Sequence, residues 1–238
     1  MRIIREETVH QLTFLPLSFP VNCYLVEESE ELTLIDAALP YSASGILKAA
    51  KAIGKPITRI VLTHAHDDHL GSLDSLKQAL PGAPVYISHR DARLLAGDRT
   101  LDDNEPKTPI KGGAPKNLKT RADILLKDGE HIGSLLAIAT PGHTPGSMSF
   151  LDKRNKALIA GDAFQTRGGM AVAGQLKFWF PFPAMATWNK QLALKSAIKL
   201  KDFHPSLLAV GHGAMLKQPQ EVITRSITEA EYQLEFNQ

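Results

Sequence analysis

Cysteine is nearly missing from this 238-residue chain: Cys23 stands alone, so no intramolecular disulfide can form and no thiolate-rich metal site can be built. A charge excess is missing too. Lys and Arg number 27 against 25 Asp and Glu, which leaves no sequence-wide field to hold a polyanion or an acidic bilayer. No run approaches the roughly 20 apolar residues that a membrane-crossing helix needs. The first residues carry Arg2, Arg5, Glu6 and Glu7 and no apolar core of a signal peptide. Together these absences point to a cytoplasmic protein with no membrane and no nucleic-acid partner. No repeat or low-complexity tract is present, and 43% hydrophobic with 22% charged residues is ordinary globular usage. Histidine is what the chain does have, with nine.

Short β-rich runs come first, at Arg2 to Glu7, His10 to Leu15, Val21 to Glu27 and Leu32 to Asp36. Helices and strands then alternate. Helices are expected at Ser42 to Ile53, where Gly54 stops the pattern, at Asp68 to Leu80, Asp91 to Leu95, Thr187 to Leu200 and Gln220 to Leu234. Strands are expected at Ile57 to Leu62, Val85 to Ser88, Ile124 to Leu126, Ser134 to Ala139, Ser147 to Leu151, Ala157 to Ile159 and Leu207 to Val210. Gly97 to Lys119, broken by Pro106, Pro109, Gly112, Gly113 and Pro115, reads as a long excursion that could lid a site or merely vary the surface. Strands first and mixed elements later imply layered sheets with helices outside.

The strongest signal is Thr63-His64-Ala65-His66-Asp67-Asp68-His69, where an apolar strand ends and a helix begins. In extended chain residues i and i+2 project to the same side, so His64 and His66 can share one ion. Asp68 and His69 open the helix and suit a second. Three further candidates stand at strand ends beside glycine: His143 in Pro141-Gly-His-Thr-Pro-Gly146, Asp162 in Ala160-Gly-Asp162, and His212 in Val210-Gly-His-Gly213. Each is weak singly, because a lone His is more often structural. In this order along one chain they form a constellation. Imidazole with carboxylate suits zinc, and also iron, manganese or cobalt.

These residues resemble the metallo-β-lactamase superfamily, carried by His64-x-His66-x-Asp68-His69 followed by His143, Asp162 and His212. The resemblance covers residues 1–238 as one domain and implies an α/β fold, a four-layer αββα sandwich with a dinuclear site at one edge of two facing sheets. It implies His64, His66 and His143 as one ligand set and Asp68, His69 and His212 as a second, with Asp162 bridging two Zn2+ per chain; iron or manganese are the alternatives. It further implies a hydrolase that attacks an ester, lactone or thioester bond through a bridging hydroxide, with Asp68 moving the proton and Asp36 orienting a ligating His or loop amide. A zinc-bound water ionises near pH 7, which makes such chemistry available at neutral pH.

Within that family the sequence discriminates further. Only 26 residues follow His212, which disfavours the glutathione-thioesterase branch with its C-terminal helical extension. Related lactonases place a Tyr shortly after the bridging Asp, where this chain has Ala163, Phe164 and Gln165. Basic exosites of nuclease relatives are not evident, and Lys107, Lys111, Lys116 and Lys119 read as a solvated face. True β-lactamases usually differ at His69 and Asp162. Persulfide dioxygenases keep a different alternative open: one iron on the positions of His64, His143 and Asp162. Phe178-Trp179-Phe180-Pro181-Phe182-Pro183 could wall an apolar pocket for a small acyl substrate, pack against Trp188, or bury in a homodimer contact. Its prolines argue against a helix or interior strand. Cys23 reads as a small core residue, and His10, His89, His131 and His204 lack ligand-like spacing.

Overall fold

The computed structural model describes residues 1–113 and 117–236; Lys116, Pro115 and their neighbour Ala114 lie outside them. The first sheet contains β1 (Arg2–Glu6), β2 (Val9–Phe14), β3 (Val21–Glu27), β4 (Leu32–Ile35), β5 (Ile57–Val61), β6 (Val85–Ser88) and β7 (Ile124–Leu126), side by side in chain order. Its first four strands pair antiparallel and its last four parallel. The second sheet is built from β8 (His131–Ile132), β9 (Leu135–Ala139), β10 (Met148–Asp152) and β11 (Ala157–Ile159). After a short hairpin of β12 (Phe164–Gln165) and β13 (Ala171–Val172), β14 (Leu207–Ala209) and β15 (Leu216–Lys217) complete that sheet. β14 lies parallel to β11.

The two-residue period of the strands builds the layers. On β3, Tyr24 and Val26 face Phe150, Ile159 and Ala209 of the second sheet in a shared inner core, whereas Cys23 and Leu25 face outward. The outer face of the first sheet is covered by α1 (Ala43–Ile53), α3 (Leu73–Ala79) and α4 (His89–Leu95) through Ile46, Leu76 and Leu94. Ala197 and Leu200 of α6 (Lys190–Lys201) and Ile223 and Ile227 of α7 (Gln220–Phe236) cover the other. The result is the expected αββα sandwich, and every core layer is closed by apolar burial. Among the described residues no helix is long and apolar enough to cross a membrane.

Two expected elements differ. The single helix expected over Asp68 to Leu80 is two, α2 (Asp67–Leu70) and α3, because the chain bends at Gly71 to meet the 37–40 loop. Gly71 donates its amide to Ala38 O at 2.7 Å, and a Cβ there would strike the backbone of Leu39 and Pro40. The proline-rich segment contains a helix after all, α5 (Phe182–Ala186). Its prolines stand at the N-cap and in the first turn, where a missing amide costs no hydrogen bond. The short strands β8, β12, β13 and β15 carry no periodic signal and were not expected.

Candidate metal centre

Strand ends deliver every residue of the constellation to one edge of the sandwich. β4 leads into Asp36, β5 into His64, β9 into the loop of His143, β11 into Asp162 and β14 into His212. Ligand atoms of His64, His66 and His143 lie within 4.8 Å of one another; so do those of Asp68, His69 and His212. Asp162 stands between the two groups, with its oxygens 3.3 Å from His143 Nε2, 3.5 Å from His69 Nε2 and 3.2 Å from His212 Nε2. All seven sequence-predicted residues are thus brought together. His10 is occupied elsewhere, against Glu27 at 3.1 Å, and Cys23 is buried in the core.

The outward nitrogen of each imidazole is tied down, which fixes the tautomer of the inward one. His69 Nδ1 donates to Asp36 Oδ2 at 2.8 Å and His212 Nδ1 to Pro20 O at 2.8 Å. His66 Nε2 donates to Lys111 O at 3.1 Å. The Thr63 and Thr187 hydroxyls give their own protons to Asp36 and to Pro183 O. They therefore accept from His64 Nδ1 at 3.0 Å and His143 Nδ1 at 3.1 Å. Five ring nitrogens are left facing inward: Nδ1 of His66, 3.0 Å from His143 Nε2, and Nε2 of the other four.

The electrostatics are those of a cation site. His64 Nε2, His69 Nε2 and Asp162 Oδ1 are buried with no hydrogen-bond partner, a costly state for a polar atom unless something else satisfies it. Burial holds His64, His66 and His143 below their ordinary value, His143 at about 3, so these three are neutral donors. Burial also pushes His69 and His212 down, but Asp162 and Asp68 outweigh it and raise both, His212 to about 10. Burial opposes ionisation of Asp68 and Asp162 as well. The neighbouring histidines prevail and keep both carboxylates charged. Two carboxylates, Asp162 buried and Asp68 half-buried, with five converging imidazoles fit metal cations, and hard all-oxygen chemistry is not what they offer.

Several supports have no sequence signature. Asn22 and Tyr24 of β3 hold Val210 O at 2.7 and 2.6 Å, and Gln11 of β2 holds Gly213 O at 2.9 Å, so first-sheet side chains fix the loop of His212. Asp91 of α4, wholly buried, accepts from Ala65 N at 2.9 Å, Thr144 Oγ1 at 2.7 Å and Gly146 N at 2.8 Å, and so joins the His64–His66 turn to the His143 loop. The 97–119 excursion comes to the centre through backbone. Besides Lys111 O, Gly113 O accepts from Asp67 N at 3.1 Å. The side chains of Lys107, Lys111 and Lys119 point to solvent. Gly211 packs so tightly on Asp162 and His69 that a Cβ there would overlap Asp162 Oδ1.

A pocket of about 430 Å³ opens over the centre, lined by His66, Asp68 and Asp162 on one side and by Phe19, Phe182 and Met185 on the other. The aromatic segment divides in its roles. Phe180 is buried against Phe19 and stacks 5.3 Å from His212. Phe178 and Trp179 are 85% and 82% exposed. Trp188 is buried and donates to Thr108 O. Tyr24, the tyrosine nearest in sequence contact to the His212 loop, spends its hydroxyl on Val210 O. No tyrosine lines the pocket among the described residues.

An αββα sandwich with a His- and Asp-rich cluster at its strand ends defines a class of metal-dependent enzymes. The metallo-beta-lactamase superfamily model matches residues 18–212, and the chain belongs to that family. It is 63% identical over 230 residues to the uncharacterized protein YobT of Bacillus subtilis (strain 168), covering 97% of this chain and 99% of that one. It is 30% identical over 213 residues to the probable metallo-hydrolase YflN of the same organism, covering 81% and 80%. Among solved structures it is similar to TTHA1623 in a di-iron-bound form, at 27% identity and a TM-score of 0.65, covering 89% and 96%.

Proposed function

We propose that the protein is a dinuclear zinc hydrolase that cleaves an ester, lactone or thioester bond of a small substrate with an apolar acyl part. The observation that carries this reading is the set of five inward-facing imidazole nitrogens, with Asp68 and Asp162, beneath a pocket walled by Phe19, Phe182 and Met185. His64, His66 and His143 would hold one ion, Asp68, His69 and His212 the other, with Asp162 shared. Bound ions would supply Lewis-acid charge and a water acidic enough to ionise near neutral pH.

The chain's own residues account for the remaining work. Asp68 is the only one of the seven that is more than slightly exposed, and it faces the pocket beside His212 at 3.3 Å. It is ionised, and so is poised to take the proton from the attacking water and pass it to the leaving oxygen or sulfur. Asp36 and Pro20 O aim His69 and His212, and Thr187 aims His143. Phe19, Phe182 and Met185 exclude water from the acyl group. Among the described residues no Lys or Arg lines the pocket, so beyond the ions themselves nothing there would hold a substrate's negative charge, which favours an uncharged acyl substrate.

The test is elemental analysis of untagged protein followed by a panel of lactones, thioesters, acyl esters, phosphodiesters and β-lactams. About two zinc ions per chain with acyl-ester, lactone or thioester turnover is the expected result. One iron per chain with oxygen uptake on glutathione persulfide would replace the hydrolase by a dioxygenase.

A further inference from the structure

The apolar surface that this fold leaves in water is concentrated in one place. Of the fourteen large hydrophobic side chains exposed among the described residues, five fall between Leu176 and Met185 and two more, Leu15 and Leu17, in the turn before Phe19. Half of the total is thus in two short segments, more than single scattered residues would give. Arg167 joins them: its Nη2 donates to Leu17 O at 2.7 Å, and the two glycines after it lie against Phe180 and Lys177. The patch runs on into the metal-centre pocket, where Phe19 packs 5.0 Å from Phe182. Leu17, Phe178 and Trp179, at 87%, 85% and 82% exposed, stand outside that pocket, so a substrate over the metal centre would not cover them.

The near-even charge of the whole chain hides a local excess here. The facing rim of the pocket is the 107–113 part of the excursion, which supplies Gly112 and Gly113 to the lining and is held to the aromatic side by Trp188 Nε1 on Thr108 O at 2.7 Å. Four segments therefore frame the mouth: 15–19, 107–113, 166–169 and 176–185. They carry Lys107, Lys111, Arg167 and Lys177 and not one Asp or Glu. Lys177 is paired with Glu229 of α7 at 3.3 Å, whereas Lys107 and Lys111 are exposed. The pocket's own carboxylates, Asp67, Asp68 and Asp162, belong to the metal-centre side. Two copies meeting through this face would set cations against cations with no carboxylate of these segments to pair them. Aromatic and leucine tips beside Lys and Arg instead suit an anionic bilayer, where such rings sit at headgroup level and each cation adds attraction.

We propose that this face docks on the surface of an anionic lipid bilayer. Leu17, Phe178 and Trp179 enter the headgroup region, and Lys107, Lys111 and Arg167 meet lipid phosphates. Docking turns the mouth of the metal-centre pocket toward the lipid, from which the acyl substrate proposed above would enter; the docking itself does not rest on that reading.

Cosedimentation of the metal-loaded protein with vesicles tests this, with phosphatidylcholine alone compared with an equal mixture of phosphatidylcholine and phosphatidylglycerol. Binding to the mixed vesicles is expected, about tenfold or more tighter than to the neutral ones, and should weaken as salt is raised. The double variant Phe178→Ser, Trp179→Ser, at exposed positions, should lose about a hundredfold in affinity with an unchanged melting temperature. Lys107→Glu should lose about tenfold. Trp179 emission should move to shorter wavelength on the mixed vesicles, and Trp179→Phe should remove that shift while keeping the binding, because Trp188 is already buried. Turnover of a water-soluble acetyl ester should be the same in all these variants, so loss of docking and failure of the hydrolase reading are told apart. Absence of binding to the mixed vesicles overturns the proposal, as does equal binding to both kinds or binding that the double variant leaves intact. So does a dimer, seen by sedimentation velocity without lipid, that the double variant dissolves, which would make a second copy the occupant of this face.

Discussion

Asp36 Oδ2 accepts the Nδ1 proton of His69 at 2.8 Å, and the same carboxylate holds Thr63 through its amide at 2.8 Å and its hydroxyl at 2.7 Å. One side chain thus orients His69 directly and, through Thr63, His64. It does so from a left-handed backbone, φ 63°, which Asp and Asn tolerate better than other residues. Asp36→Asn keeps that tolerance but turns one acceptor into a donor facing Thr63 or His69. Its expected effect is a 10- to 100-fold loss of metal affinity, the usual cost of disturbing a ligand's outer partner, read by competition with a chelator.

The two ligand groups should differ in their proton linkage. In the metal-free protein His69 and His212 are raised by Asp162 and Asp68 against the pull of burial, His212 to about 10, so both carry protons at neutral pH. His64, His66 and His143 are lowered by burial and are neutral, each with only its outward N–H proton. Metal uptake must displace the first set of protons. Calorimetry in buffers of different ionisation enthalpy should therefore report about two protons released per chain near pH 7 from the Asp68–His69–His212 group, besides any lost by metal-bound water. Affinity at that group should rise with pH up to about 10, while the His64–His66–His143 group stays flat across the neutral range. Release of no proton would contradict this assignment of charge.

Asp91 carries a separate linkage. Burial raises its carboxyl from 3.8 to about 6, against the lowering effect of the Thr144 hydroxyl and the Ala65 and Gly146 amides. Because the folded value is above the unfolded one, the stability contributed by the protonated form is complete below pH 3.8 and is lost as pH rises through 6. Asp91→Ala strands three buried donors and removes this linkage together. Urea unfolding of metal-free protein should show a penalty of about 2 kcal/mol near pH 7.5 that grows by up to about 3 kcal/mol toward pH 4. A penalty independent of pH would show that Asp91 titrates normally.

The seven residues of the cluster were legible in the sequence because each is a ligand-type side chain at the end of an apolar strand, four of them in one local motif. Layered sheets with helices outside were legible because the runs that form β3, β5 and β11 are bounded apolar segments; the αββα arrangement itself came from the family resemblance. What escaped is held by contacts without a residue-type signature. Lys111, Gly113 and Pro20 act through carbonyls, and Asn22 and Tyr24 reach across from the opposite sheet. Asp91 is one aspartate among many until α4 places it between two loops. The bend at Gly71 depends on the 37–40 loop arriving beside it, and α5 forms because its prolines fall at positions that need no amide.

Gly112 offers a sharper test of the excursion's role. Its φ is 79°, and a Cβ there would overlap the His66 ring where Nε2 meets Lys111 O. Gly112→Ala should displace that carbonyl, release the His66 tautomer and lower metal affinity about tenfold. The excursion is largely exposed, so the melting temperature of the metal-free variant should stay close to wild type. An unchanged metal affinity would reduce the excursion to surface variation.

The wall of the metal-centre pocket supplies the last prediction. Phe182 and Met185 are 51% and 66% exposed and line the pocket above Phe180, which is buried. Their exposed apolar surface would be covered by an acyl chain, a gain of about 1–2 kcal/mol per side chain. A two-carbon acyl group is too short to cover both, whereas an eight-carbon one extends along them. Phe182→Ala and Met185→Ala should therefore each raise KM for an octanoyl ester about tenfold and leave KM for an acetyl ester nearly unchanged. Because the contact is made equally in ground and transition states, kcat should not move for either substrate. Equal losses on both esters would mean that these side chains shape the metal centre rather than the acyl site.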